Sequence, residues 1–422
     1  MLSKLENSLN DGLNKFPVVK KILKRTYQIG MYTISKKIKY EGDLERVTPD
    51  DEKEYFFGYY DKSPWDATDR YMLCLRVNNT TKSTAPKESA DIILIDTEDN
   101  NSYRKLAETK TWNVQQGCML QWLGPDYSNK IIYNDFRNEN YCSIILDINT
   151  NEERIIDKPV YSVSSDGTTA LTLDFSRLHR LRKGYGYSNL EEETKNEKLP
   201  NKTCVWKIDL LSGKVEDILK YTDFYNFETR SEMVDAEHKV NHLMINPSGN
   251  RFMVLHRWIK GTERFTRLVT VNIDGSNMYN LSDDNMTSHC YWKNDEEIIA
   301  FARKEKHGNG YYLMRDQSYN YEKKWPELGM DGHPSYSPSN DSVVTDTYPD
   351  RARVSTIYII NNENNISRVA RVFSPFIYDN DVRCDLHPRW SRNGKKICFD
   401  SVFEGKRRLY IINEKRSSLV NE

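Results

Sequence analysis

Residues 244–258 read MINPSGNRFMVLHRW, an apolar strand, a polar Asn-Pro-Ser-Gly-Asn turn and a second apolar strand. The same signature recurs at 62–77 (KSPWDATDRYMLCLRV), 120–136 (LQWLGPDYSNKIIYNDF), 161–175 (YSVSSDGTTALTLDF), 290–304 (CYWKNDEEIIAFARK), 334–348 (PSYSPSNDSVVTDTY) and 388–402 (PRWSRNGKKICFDSV). A third strand follows each at a variable distance, for example DIILID at 91–96, RLVTVNI at 267–273 and RLYII at 408–412, and a weaker fourth usually completes the unit. The turns are about 40 to 60 residues apart, the size of a four-stranded propeller blade, with one double gap between Asp166 and Ser248. A sandwich gives no reason for seven recurrences of one signature, so the sequence predicts an all-β chain folded as a seven-bladed β-propeller. The double gap is read as loops of blades three and four, at 175–203 and 220–240.

In such a blade the first strand lines the central channel and the second returns. The approach to strand one and the loop between strands two and three therefore open on the same face. The approaches carry His242, His289, His333 and the pair Cys384 and His387, from four consecutive blades. Imidazoles and a thiolate meeting at one point suit Zn²⁺ or another divalent transition metal, with His289, His333, Cys384 and His387 as the expected ligands and His242 in reserve. The competing reading is that these histidines bond the backbone of neighbouring blades.

The loops after strand two bring a cationic, aromatic cluster: Arg177, His179, Arg180, Arg182, Lys183, Tyr185 and Tyr187, then His256, Arg257 and Trp258. Arg pairs carboxylates in a fork and aromatic rings stack on sugars, so the cluster suits an anionic ligand with flat faces. Gln115, Gln116 and Asn134 add amides at the same mouth. The bland alternative for 175–203 is a solvated insertion held by its own aromatic residues.

Lys and Arg total 61 against 62 Asp and Glu, so no whole-chain field favours nucleic acid. Charge is segregated instead, because residues 12–40 hold eight Lys or Arg and no acid. Pro17 can open a helix there, with Val19, Ile22, Leu23 and Tyr27 on one face and Lys20, Lys21, Lys24 and Arg25 flanking it. This divides the chain into a basic helical arm at 1–45 and a propeller at 46–422. The arm suits the anionic inner face of a membrane, and equally a helix packed on the propeller. Seven cysteines, five of them in apolar strand-like runs, read as reduced core thiols, and with no export signal or apolar span the expectation is a cytoplasmic protein with peripheral membrane contact.

The strings FGYYDKSPWD (57–66), WNVQQGCMLQWLG (112–124), IYNDF (132–136), DFSRLHRLRKGYGY (174–187), LHRW (255–258), GHPSYSP (332–338) and DLHPRWS (385–391) resemble blade signatures of the oligogalacturonate-lyase and ulvan-lyase type of seven-bladed propeller, including relatives from bacterial capsule and lipopolysaccharide biosynthesis clusters. The resemblance implies a metal held mainly by histidine, matched by His289, His333, Cys384 and His387. It also implies β-elimination at a uronate, with Tyr185 or Tyr187 in proton transfer, Arg257 clamping the carboxylate and His242 as a further catalytic candidate. Gln115, Gln116, Asn134, Arg177, His179, Arg182, His256 and Trp258 are the substrate-binding set. In the quarter where such lyases use histidine on early blades, this chain offers Gln115, Gln116, Asn134 and Asp135. Two functions follow as expectations: a lyase-like enzyme acting on an acidic polysaccharide or oligosaccharide in envelope polysaccharide synthesis, or a non-catalytic sugar-binding propeller that scaffolds glycan-assembly enzymes.

Overall fold

A computed structural model describes residues 17–82 and 88–413. Seven antiparallel sheets follow one another around a ring. Blade 1 comprises strands Glu54–Phe56, Tyr71–Val77, Ala90–Asp96 and Ser102–Thr109, and blade 2 Gln121–Trp122, Lys130–Arg137, Asn140–Asp147 and Glu153–Ile156. Blade 3 (Ser162–Val163, Thr169–Leu173, Thr203–Asp209, Val215–Lys220) carries the insertion, which opens as helix Phe175–Leu181. A second short helix, Tyr221–Asn226, leads to blade 4, whose strands are Glu237–Ile245, Arg251–Lys260, Glu263–Asn272 and Tyr279–Ser282. Blade 5 runs from Thr287–Trp292 to Tyr321–Lys324, blade 6 from Ser335–Tyr336 to Ile366–Phe373, and blade 7 from Arg389–Trp390 to Arg408–Asn413. The seven-bladed all-β architecture and the N-terminal helix, Pro17–Ile34, are thus present.

The recurrent turns have a physical basis. Their Asx and Ser side chains accept from backbone N–H groups across the turn, as Asn246 Oδ1 does from Asn250 and Arg251 at 3.0 and 3.1 Å, and Asp166 Oδ1 does from Thr168 at 3.0 Å. Tryptophans that close the inner strands join one blade to the previous one. The indole N–H of Trp122 donates to Pro64 O at 2.8 Å, that of Trp292 to Met244 O at 2.9 Å and that of Trp390 to Ser335 O at 3.1 Å. Each buries a large ring while satisfying its one polar atom. The seven cysteines are buried and unpaired, consistent with core thiols.

Two features of the closure were not anticipated. The inner strand of blade 1 is Glu54–Phe56, ahead of the motif at 62–77; the second half of the motif is the strand Tyr71–Val77, and its first half contributes only the bridge Trp65 to Met72. Blade 7 has three strands of its own, and its fourth is Glu45–Arg46, paired with Ile411 and Tyr410. The preceding strand, Tyr40–Glu41, adds a fifth to blade 6. Blade 7 is latched to blade 1 by buried Arg389, which donates to Tyr59 O at 3.1 Å, to Gly58 O and to Asp400 Oδ2 at 2.7 Å; Asp400 also accepts from the Phe57 N–H at 3.1 Å.

The helix Pro17–Ile34 lies on the connection between blades 6 and 7. Arg25 donates to Phe376 O at 3.2 Å and pairs with Asp379 at 3.1 Å, and Tyr32 stacks on Phe373 with ring centroids 5.1 Å apart. Residues 12–16 of the basic arm lie outside the described residues. No helix among the described residues is long and apolar enough to cross a membrane.

Removing one partner of a buried ion pair leaves the other charge stranded. Arg389→Met is therefore expected to lower the unfolding free energy by about 3 to 5 kcal/mol, through the bare Asp400 carboxylate, in denaturant titrations of the purified chain. A loss under about 1 kcal/mol would show that the latch does not hold the ring.

Candidate functional site

The inner strands are irregular where they meet the channel, and the irregularity aims the histidines. Blade 4 shifts register between Asn241 and Met244, and blade 5 between Thr287 and Cys290. Such bulges turn one side chain away from the regular alternation. His242 and His387 sit at φ +59° and +45°. Three rings pack into a buried group: His289 tilted against His333 at 4.1 Å and His333 edge-on to His387 at 4.3 Å between centroids. Tyr60 packs against all of them, and Tyr59 against His333 and His387.

Each of these three rings is oriented from behind. Asp346 accepts from both the backbone N–H of His333 and its Nδ1, at 2.8 Å each. His289 Nδ1 faces Asp331 at 3.1 Å. His387 Nδ1 donates to Gly58 O at 2.9 Å. The Nε2 atoms of His333 and His387 are buried and have no partner. A carboxylate oxygen of Asp385 and one nitrogen each of His333 and His387 lie within 4.8 Å of one another. Burial, then repulsion by His333, pushes the His387 pKa well below the usual imidazole value, and the same causes lower that of His289. Burial also pulls on His333, but Asp346 outweighs it and the net shift is upward. Two unpaired nitrogens beside a carboxylate are the donor set of a divalent transition ion.

This arrangement corrects the expected ligand set. His289, His333 and His387 do converge, but Cys384 does not join them. Its side chain packs with Tyr378 and Val402, away from the donor atoms of His333 and His387, and burial raises its thiol to about 12. Asp385 stands in its place.

Above the cluster a cavity of about 460 Å³ opens at the channel mouth. Its walls include Gln115, Arg180, Arg182, Lys183, Tyr185, Lys239, Arg257, Trp258, Arg264, Asp381 and Arg383, seven cations against one carboxylate. Arg383 joins the two levels, since it lines the cavity and pairs with Asp385 below. Tyr185 does so too, with its ring 6.3 Å from that of Tyr59 and under the Arg182 guanidinium at 4.5 Å. Gln115 Nε2 donates to Arg383 O at 2.9 Å while its Oε1 is buried without a partner. None of the ion pairs among the described residues involves Arg182, Lys239, Arg257 or Arg264. Burial, then the charge of Arg182, lowers the Arg257 pKa to about 10. Burial beside Arg257, Arg182 and Arg264 drives Lys239 well below the usual ammonium value. An anion entering this space meets four basic side chains that have no internal carboxylate to leave.

Several expected site residues prove to be scaffold. Arg177 is fully buried and holds the insertion together, donating to His238 O at 2.7 Å, Lys198 O at 2.9 Å and Glu192 at 2.5 Å. Tyr187 stacks on Phe175 at 4.3 Å and its hydroxyl accepts from Asn134, whose amide is otherwise spent on both backbone groups of Val160. Gly186 at φ +67° permits that turn, since a Cβ would lie 2.3 Å from Phe175 O. His179 Nδ1 donates to Tyr185 O at 3.2 Å and so supports Tyr185 from behind. Gln116 donates to Tyr161 Oη at 2.8 Å. His242 lies behind Tyr59 and Tyr60, with Nε2 donating to Cys290 O at 2.9 Å and Nδ1 near Tyr59 Oη at 3.3 Å, so neither nitrogen faces the cavity.

His256 belongs to a separate buried chain. Arg267 Nε donates to its Nδ1 at 3.2 Å, its Nε2 meets His238 Nδ1 at 3.0 Å, and His238 Nε2 donates to Met233 O at 3.1 Å. Each nitrogen has one role only when both rings are neutral. Burial, chiefly, lowers His238 to about 4 and His256 well below its ordinary value, the latter aided by Arg267. Groups with depressed folded-state pKa values stabilise above the unfolded value near 6.5 and lose that contribution as pH falls through it. Melting temperature should therefore fall between pH 6.5 and 4, with His238 alone accounting for on the order of 3 kcal/mol. A His238→Gln, His256→Gln variant should be less stable at pH 7 yet lose less over that window; an equal loss would refute the neutral pair.

Comparison with family models finds no match, and none is found among curated proteins. Among solved structures, an oligogalacturonate lyase from Vibrio parahaemolyticus superposes with a TM-score of 0.62 at 17% identity, over 89% of this chain and 96% of that one. An oligogalacturonate lyase in complex with manganese superposes equally, at 0.62 and 16% identity over 88% and 93%. The chain thus shares the seven-bladed propeller architecture of these oligogalacturonate lyases from end to end of their length.

Proposed function

We propose that the chain cleaves an acidic, uronate-containing oligosaccharide by β-elimination. The observation that carries this reading is the cation-walled cavity, joined to the His289, His333, Asp385 and His387 cluster through Arg383, which lines the cavity and pairs with Asp385. The shared fold with oligogalacturonate lyases, one of them holding manganese, supports it.

Arg257 and Arg182 would clamp the uronate carboxylate, whose negative charge grows as the adjacent proton leaves. Lys239 is the base best suited to take that proton, because burial and the neighbouring Arg257, Arg182 and Arg264 disfavour its ammonium form. The electrons of the broken C–H bond form the ring double bond and expel the glycosidic oxygen, which the Tyr185 hydroxyl protonates. Gln115 has an unsatisfied amide oxygen to accept from a sugar hydroxyl. His333, His387 and Asp385 would hold a divalent transition ion, with His289 alongside, and such an ion supplies Lewis-acid stabilisation of the carboxylate.

Products of β-elimination absorb in the ultraviolet. Incubation with a panel of uronate oligosaccharides is expected to raise absorbance, and Lys239→Met or Tyr185→Phe to slow that rise at least about 100-fold with melting unchanged. The alternative, a non-catalytic sugar-binding propeller serving glycan-assembly enzymes, is favoured by one observation: blade 2 offers the Gln115 and Gln116 amides where an imidazole base would serve. Binding without any absorbance change would select it.

The ion has its own test. After equilibration with manganese or zinc and removal of excess, elemental analysis should find about one ion per chain, as a single donor set of this kind holds. His387→Ala should release it. A wild-type chain that folds normally and retains none would end the ligand assignment.

A further inference from the structure

The helix Pro17–Ile34 is docked the wrong way round for a helix on a soluble surface. An amphipathic helix packed on a globular protein normally turns its apolar stripe inward and its charges to water. Here the side facing the propeller is mainly polar: Arg25 bonds Phe376 O and Asp379, Lys20 and Gln28 are half-buried, and Tyr32 adds one ring on Phe373. At 100° per residue, Val19, Ile22, Leu23, Ile29 and Ile34 fall on one side of the helix, with Thr26, Gly30 and Thr33 between them. All five are exposed, from 47% at Val19 to 60% at Ile22 and 79% at Ile34. Ile377, in the loop the helix packs against, is 64% exposed.

We infer that this stripe is the surface by which the protein rests on an anionic lipid bilayer, with the propeller held to one side. The described helix is too charged to cross a membrane, but its length of about 27 Å suits one lying in the headgroup plane. Lys24, Lys36, Lys37 and Lys39 are exposed on the helix and on the segment that follows it, and no acid lies between residues 12 and 40. That charge complements anionic headgroups and opposes self-association, since a second copy would bring an equally basic arm against the first. The orientation is also self-consistent. Arg25 fixes the helix to the propeller through its polar side, leaving the apolar side free for acyl chains.

The test uses the full chain and sedimentation with vesicles. Wild type should pellet with vesicles of equal parts phosphatidylglycerol and phosphatidylcholine, stay in solution with phosphatidylcholine alone, and be released by salt. Ile22→Glu with Ile29→Glu changes only exposed side chains, so melting should be unchanged while vesicle affinity falls at least about tenfold. Lys24→Gln with Lys36→Gln and Lys39→Gln should weaken binding and flatten its salt dependence. Failure of the wild type to pellet, or pelleting unaffected by the glutamate pair, overturns the inference. So does a wild-type dimer in light scattering that the glutamate pair converts to monomer, because a second copy would then be what covers the stripe.

Discussion

The carbonyl of Gly58 is the point on which both the ring and the site depend. It accepts from Arg389, which latches blade 7 to blade 1, and from His387 Nδ1, which leaves the Nε2 of that ring facing the channel. Gly58 sits at φ +131°, and a Cβ there would lie 2.8 Å from Gln116 O, so the position admits glycine alone. Closure of the propeller and the orientation of one candidate ligand are therefore a single constraint. A ring opened at this seam would lose the orientation of His387 before any blade unfolded.

Behind the cluster lies a consistent division of labour. Asp331, Asp346 and Gly58 O fix the Nδ1 side of His289, His333 and His387, while the cavity is lined by Arg182, Lys239, Arg257 and Arg264, which no carboxylate answers within the described residues. The first arrangement sets geometry and the second sets affinity for anions. Tyr185 and Arg383 belong to both levels, and through them a bound carboxylate would sense the occupancy of the donor set.

Much of the fold was legible because one turn chemistry, Asx and Ser side chains accepting from backbone N–H groups across a tight loop, recurs in six of the seven blades. The strand Glu45–Arg46 was not, because two polar residues carry no periodicity and their partner lies at the far end of the chain. At the site, the converging histidines could be read from their positions ahead of the inner strands. Asp385 was missed because the backbone turns at His387, φ +45°, and no periodicity of the sequence says which neighbouring side chain then faces the ring. Arg177, His256, Asn134 and Tyr187 show the opposite failure. Sequence reports that a residue is cationic or aromatic, but not whether internal carbonyls and carboxylates have already claimed it. Lys239 was overlooked for a related reason, because a lone lysine in an apolar strand gives no sign of the three arginines that fold around it.

The two-residue strand at 45–46 bears on how the molecule is made. Arg46 meets Glu404, 358 positions later in the chain, and blade 7 has no outer strand until those two segments meet. During synthesis the emerging amino-terminal segment must wait, unpaired, while six blades are translated. The ring then completes in one late event, so a ribosome that stalls before blade 7 releases an open arc, a substrate for chaperones and proteases.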